Sequence, residues 1–278
     1  MNLKFQNKVV VLTGAGGVIV SSLAKNFAKQ GAKVALLDLN LAAAQKAADA
    51  INTSYSNQAF AYACNVLEKE QVEKVHEQIL KDLGKCDILI NGAGGNSARA
   101  NTDLEFHDSK AATGVKTFFD LDKAGFQFVF DLNIMGTLIP TQVFAKDMVD
   151  REGSNIINIS SMNAFTPLTK IPAYSSAKAG VSNLTQWLAV HFSKVKIRVN
   201  AIAPGFLVTA QNKDLLFNKD GTPTERSKKI LRNTPMDRYG DPEEMFGAVQ
   251  FLASQEDASF ITGVILPIDG GFSAYSGV

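Results

Sequence analysis

Cysteine is nearly absent: Cys64 and Cys86 are the only two in 278 residues. Two thiols cannot build the disulfide framework of a small secreted domain. Both stand in apolar, strand-like settings, as reduced buried thiols would. Histidine is almost as scarce, and His76, His107 and His191 lie too far apart to form a metal-ligand spacing, so no metal is expected. An excess of one charge is lacking too. The net charge is +1 with no long basic run, which argues against nucleic acid and anionic membrane surfaces as partners. No stretch approaches the ~20 apolar residues of a membrane span. The N-terminal MNLKFQNKVVVLTG reaches the first strand almost at once, leaving no room for a signal peptide. The expectation is a soluble, cytoplasmic protein.

What is present is core material: 46% of residues are hydrophobic and 20% charged, enough for one large α/β domain. Strand candidates are Val9–Thr13, Lys33–Leu37, Ala59–Cys64, Asp87–Asn91, Asn155–Ser160, Lys196–Ala203 and Val264–Ile268. Helical periodicity fills Ser21–Gln30, Leu41–Ile51, Lys69–Leu83, Lys123–Asp150 and Ala173–Phe192, with Gly31 and Gly84 placed as helix C-caps. Strands this apolar, separated by helices, imply a parallel sheet covered on both faces, a single doubly wound Rossmann domain over 1–278 with about seven strands. Two irregular stretches, 95–120 and 206–240, follow strand C-terminal ends, where open parallel sheets bind ligands.

Residues 13–20 read TGAGGVIV, directly after the apolar run VVVL. Glycines between a strand and a helix permit a tight turn and close approach of pyrophosphate, and the helix N-terminus supplies amides and a positive dipole end. Gly14, Gly16 and Gly17 can make that turn, whereas Val18 would put a Cβ near the phosphates and Val20 would thicken the helix–sheet contact. A plain flexible turn is the competing reading. Asp38 favours a nucleotide site, since it ends the second strand at the offset where an acid hydrogen-bonds an adenosine ribose diol. Its carboxylate would repel a 2′-phosphate, and neither Leu39 nor Asn40 would welcome one, so NAD is favoured over NADP.

Tyr174 and Lys178, in YSSAK, are i and i+4 and share one helix face. A nearby ammonium should favour phenolate and bring the Tyr174 pKa from ~10 toward the operating range. Ser160-Ser161 closes a strand and brings a hydroxyl to the ligand edge. TG at 13–14, NGAG at 91–94, Asn133 in DLNIMG, NISS at 158–161, YSSAK at 174–178, RVNAIAPG at 198–205 and TGVILPIDGG at 262–271 occur in that order through nearly the whole chain. This series resembles the motifs of the short-chain dehydrogenase/reductase family. The resemblance implies Tyr174 as acid/base, Lys178 tuning it and holding the nicotinamide ribose, Asn133 supporting a proton relay and Ser161 orienting the substrate, with Ser160 structural. It further implies a cofactor cradle of Gly14, Gly16, Gly17, Val18, Ile19, Asp38, Asn65, Val66, Asn91, Gly92 and Ala93 on the adenosine and phosphate side. Pro204, Gly205 and Thr209 would flank the nicotinamide. The family's loop carries glycines where this chain has Val18 and Val20, and an acid often stands where Asn65 is.

The segment from Gly94 to Asn133 is longer than the family usually needs. It brings Gly95, Asn96, Ser97, Arg99 and Asn101 toward the cofactor edge, with Asn163 opposite, and an arginine can fork on to a carboxylate. An ordinary solvated arginine is the competing reading of Arg99. NGAGGN, the tract from Met162 to Val195 and the ending DGGFSAYSGV resemble the D-mannonate oxidoreductase (fructuronate reductase) branch, which implies NADH-dependent reduction of D-fructuronate. Another sugar-acid or polyol dehydrogenase, such as a gluconate 5-dehydrogenase, and a non-catalytic NAD sensor remain alternatives. The resemblance also implies a homodimer or homotetramer. Trp187, Leu188 and Val190 suit burial, the 206–240 stretch with Gln211 and Asn212 would be a lid, and the tail GGFSAYSGV would be ordered.

Overall fold

In the computed structural model, which describes residues 3–209 and 213–277, all seven expected strands form one parallel sheet. They are β1 (Val9–Thr13), β2 (Lys33–Asp38), β3 (Ala59–Ala63), β4 (Ile88–Asn91), β5 (Asn155–Ile159), β6 (Arg198–Pro204) and β7 (Ile265–Ile268), in the spatial order β3-β2-β1-β4-β5-β6-β7. β1 and β4 are buried end to end, the signature of a strand sandwiched by helices. The chain winds outward from β1 to β3 and then returns to add β4 on the other side. Thr13 pairs with Asn91 at that reversal, and a crevice opens beyond them.

One face of the sheet carries α1 (Val18–Lys29) and α2 (Leu41–Ser54), the other α3 (Lys69–Asp82). On this second face a run from Lys123 to Asp147 forms α4 (Lys123–Phe130), a π-helical turn at Asp131–Met135 and α5 (Gly136–Phe144). By length and mean hydropathy this 25-residue run could cross a membrane, contrary to the sequence expectation. More than half of its most apolar window is buried inside the protein, α5 packs on α3, and α4 packs on α6 (Pro172–His191), so it is a core helix.

The 206–240 stretch is less irregular than its sequence suggests. It contains α7 (Lys213–Leu216) and α8 (Glu225–Arg232), the latter N-capped by Thr224, whose Oγ1 accepts from Ser227 N at 3.2 Å. Gln211 and Asn212 lie outside the described residues. α9 (Met245–Ala253) completes the first face and α10 (Gln255–Ala258) packs on α9; neither is among the helices expected from the sequence. On α6, Leu188 is buried, whereas Trp187 and Val190 are 58% and 77% exposed in the single chain, so of the two burials expected of them, in the core or at a subunit interface, the core is not the one they have. They point away from the sheet that Leu188 covers.

Candidate active site

Thr13 ends β1, and its Oγ1 accepts from Gly92 N at 3.1 Å and Ala93 N at 3.2 Å, stitching the loop after β1 to the loop after β4. The approach is close enough to require glycine. Gly14 has φ +69°, and a Cβ there would stand 2.8 Å from the Ala93 Cα. Gly14→Ala is therefore expected to cost ~1–3 kcal/mol of stability and to weaken dinucleotide binding, read as a lower melting midpoint and a smaller shift on adding NADH.

The turn itself is closed by Gly17 N on Gly14 O at 3.0 Å, so it uses the glycines ahead of the two valines. Gly17 is the N-cap of α1 and brings no side-chain oxygen, and the first turn has no acid. Its amides and dipole are left to favour an anion. Val20 is buried, with its Cγ2 where a Cβ on Gly92 would intrude. Val18 lies at the rim, 36% exposed. Asp38 bridges β2 to this turn: Oδ2 accepts from Gly16 N and Oδ1 from Asn40 N, each at 2.8 Å.

A second group gathers beyond β4 and β5. Ser161 caps a short 3-10 turn, Met162–Ala164, and its Oγ accepts from the Asn163 amide N and Nδ2, both at 3.3 Å. Ser160 instead turns inward to Ser182 at 2.7 Å and to the Lys178 carbonyl at 3.2 Å. Pro172 starts α6, which carries Tyr174 and Lys178 on one face a turn apart. Lys178 Nζ donates to Ile159 O at 2.8 Å and stands 5.7 Å from the Tyr174 ring centroid. Asn133 sits in the π-turn, a device that redirects a side chain without ending the helix. It is wholly buried; Nδ2 donates to Gly95 O at 2.8 Å and Val129 O at 2.7 Å, while Oδ1 accepts from Gly95 N at 3.3 Å.

Gly94 is where these side chains converge: a Cβ there would lie 2.7 Å from Asn133 Oδ1 and 3.0 Å from Lys178 Nζ. Sequence reading missed Gly94 and the Thr13 hydroxyl as site-building groups, although the motifs NGAG and TG contain both.

Burial holds the Tyr174 phenol above its ordinary pKa, opposed by its hydrogen bond to Ser161. The net direction is opposite to the one expected, because desolvation of the phenolate outweighs the ammonium 5.7 Å from the ring. The phenolate would lose its water, and the ammonium is turned to the Ile159 carbonyl. Burial also lowers Lys178 itself, to about 8. The group thus contains a protonated phenol, a hydroxyl hydrogen-bonded to it and a buried amine, fitted to hand a proton to a carbonyl oxygen.

The remaining expected residues divide. Val66 is buried beside Gly136, and Asn65 Oδ1 accepts from Leu67 N at 3.1 Å. The Asn91 side chain is turned into the core, with Nδ2 donating to Asn158 Oδ1 and Thr141 Oγ1 at 2.9 Å, leaving its backbone at the edge. Ile19 packs against the core in the first turn of α1. Pro204 ends β6, and Gly205 passes so close to Asp269 that a Cβ would stand 2.6 Å from its Cα. The carbonyl of Thr209 accepts from Lys213 N at 3.0 Å. Asn96 is exposed and donates to Asn101, while Arg99 is paired with Asp122, the N-cap of α4, on an exposed surface. Asp122, on the surface, is the partner the guanidinium has in the folded chain.

The family model described as enoyl-(acyl carrier protein) reductase, a short-chain dehydrogenase model, matches residues 14–273. The chain belongs to the short-chain dehydrogenase/reductase family. Like this oxidoreductase family generally, it acts on a CH–OH group and its carbonyl counterpart. An oxidoreductase of Haemophilus influenzae, named as uncharacterised, is 61% identical over 277 residues, covering 100% of this chain and 97% of its own. A crystal structure of a provisionally named D-mannonate oxidoreductase from Haemophilus influenza, with bound NAD, is 62% identical. It has a TM-score of 0.95 and covers 98% of this chain and 97% of that one. The 7alpha-hydroxysteroid dehydrogenase of Escherichia coli is 33% identical over 270 residues, 97% of this chain and 96% of its own.

Proposed function

We propose that this reductase is NAD(H)-dependent and interconverts a keto sugar acid and its hydroxy acid, with D-fructuronate and D-mannonate as the best-fitting pair. The observation that carries the reading is the gathering of Asn133, Ser161, Tyr174 and Lys178 beside a glycine turn with Asp38 at its other flank. The bound NAD and the name of the 62% identical structure favour the cofactor and the substrate.

NAD(H) supplies the hydride acceptor or donor when bound. Gly14, Gly16, Gly17 and the first amides of α1, at Val18 and Ile19, would hold its pyrophosphate. Asp38 would hold the adenosine ribose, with Asn65, Val66, Gly92 and Ala93 along the adenosine side. Lys178, Pro204, Gly205 and Thr209 would surround the nicotinamide end. Ser161 holds the carbonyl oxygen by a hydrogen bond, and Tyr174 gives it the phenol proton as the carbon is reduced. Lys178 stabilises the phenolate left behind, and Asn133 keeps the Gly95 backbone against the site. Gly95 and Asn163 frame the substrate side.

The first test is purified protein with NADH and D-fructuronate, following NADH absorbance with NADPH in parallel. NADH-specific loss is expected, and no loss with fructuronate would discard the named substrate. A second variant tests Asp38. Asp38→Ala is expected to raise the KM for NADH about tenfold and to erase discrimination against NADPH, because a carboxylate accepting two hydrogen bonds is lost. Unchanged KM values for both cofactors would sink that role. The exposed Trp187 and Val190 on α6 favour assembly into a dimer or tetramer, and the two buried free thiols favour the cytoplasm.

A further inference from the structure

Beyond the C-terminal ends of β4, β5, β6 and β7, four segments meet around a cavity of about 570 Å³. This falls inside the ~300–1,000 Å³ range of small-molecule sites. Glu105 comes from the segment after β4, Leu168 and Lys170 from that after β5, Phe206 follows Gly205, and α8 contributes Arg226 and Lys229. The wall leads back to the site: Ser161 Oγ accepts from Asn163, Asn163 Oδ1 accepts from Leu168 N at 3.2 Å, and Lys170 precedes Tyr174 by four residues.

Lys170 holds φ +70°, and its carbonyl accepts from Thr102 N at 2.9 Å. A lysine in this left-handed conformation is costly and persists where the surroundings fix it. Phe206 and Phe272 meet edge to face, with ring centroids 5.3 Å apart, giving the cavity an apolar wall for a carbon skeleton.

The charges around this cavity do not cancel. Lys229 pairs with Glu105 and Lys170 adds its field to the same carboxyl, which is held below its usual range. Glu225 is taken by Lys228 at 2.7 Å. Arg226 has no ion-pair or hydrogen-bond partner among the described residues. An arginine beside an apolar wall, with no partner among the described residues, can offer two parallel donors to a carboxylate.

We infer that Arg226, assisted by Lys170, holds the carboxylate of the substrate and sets a preference for acids over neutral carbonyl compounds. The inference rests on reading the Tyr174 group as the reducing centre, but not on the identity of the sugar acid.

The experiment measures kcat and KM for NADH-dependent reduction of matched pairs: D-fructuronate with D-fructose, and 7-oxo glycochenodeoxycholic acid with a neutral 7-oxo steroid. Wild type, R226Q, R226K and K170Q are compared, with NADH binding by fluorescence as a control for folding. Wild type is expected to prefer the acid of at least one pair. R226Q should raise the KM for that acid about tenfold or more, with kcat, the neutral partner and NADH binding little changed, and R226K should recover part of the loss. An acid preference that survives R226Q and K170Q, or a neutral preference in both pairs, overturns the inference. Preference for the steroid acid with no reduction of fructuronate removes the sugar-acid reading and leaves Arg226 in place. Reduction of fructuronate with R226Q unaffected does the reverse, and no reduction of any of the four overturns both.

Discussion

Replacing Tyr174 by phenylalanine is expected to lower turnover by roughly 10²–10⁴-fold, the usual scale of a positioned general acid. NADH affinity should change little. The phenol is the proton donor of the group, and its raised pKa keeps it protonated at neutral pH, so its loss cannot be covered by the Ser161 hydroxyl. Steady-state reduction alongside NADH fluorescence quenching checks this. Turnover close to wild type would mean that the proton comes from elsewhere.

Lys178→Met is expected to separate activity from stability. Lys178 is 4% exposed, and burial lowers its pKa from 10.5 to about 8. The unfolded chain therefore binds this proton more tightly. Between about pH 8 and 10.5 the unfolded state carries more protons, so stability rises with pH across that window. Below it, burial of the ammonium costs ~3 kcal/mol, taking ~1.4 kcal/mol for each pKa unit. Leaving the Ile159 carbonyl without its donor gives back ~1 kcal/mol. The variant should melt a few degrees higher at pH 7, at ~2–4 °C per kcal/mol, with the gain shrinking toward pH 10. Its turnover should fall ~100-fold or more, because the phenolate formed after proton transfer loses its cation. In wild type, deprotonation of the Lys178 ammonium is expected to make reduction decline above about pH 8. Melting curves at the two pH values decide the matter, and a lower midpoint at pH 7 would refute the burial cost.

The phosphate turn shows how far reading along the chain can go. Val18 and Val20 stand where glycines were expected, and from sequence they could obstruct a phosphate or move the turn. In the fold Val20 is a core residue packed over Gly92 and Val18 is at the rim, because α1 begins only after Gly17. Whether a β-branched residue blocks a turn depends on the helix start, which is set by packing against the next strand. Arg99 is a similar case. Its position after β4 is legible, but its pairing with Asp122 needs α4 to be placed.

The seven strands and their parallel arrangement in one doubly wound sheet are legible along the chain, and the motif series singles out Asn133, Ser161, Tyr174 and Lys178 as candidates. Apolar strand runs, glycine placement and i,i+4 spacing are local signals that survive without contacts. The direction of the Tyr174 pKa and the exposure of Trp187 and Val190 on a single chain emerge with the packing. So do the convergence of Asn133 and Lys178 on Gly94 and the position of Arg226, without a partner among the described residues, at the cavity beyond β5. Each of these depends on which distant segments exclude water from a group or leave it without a partner, and spacing along a chain carries no record of that.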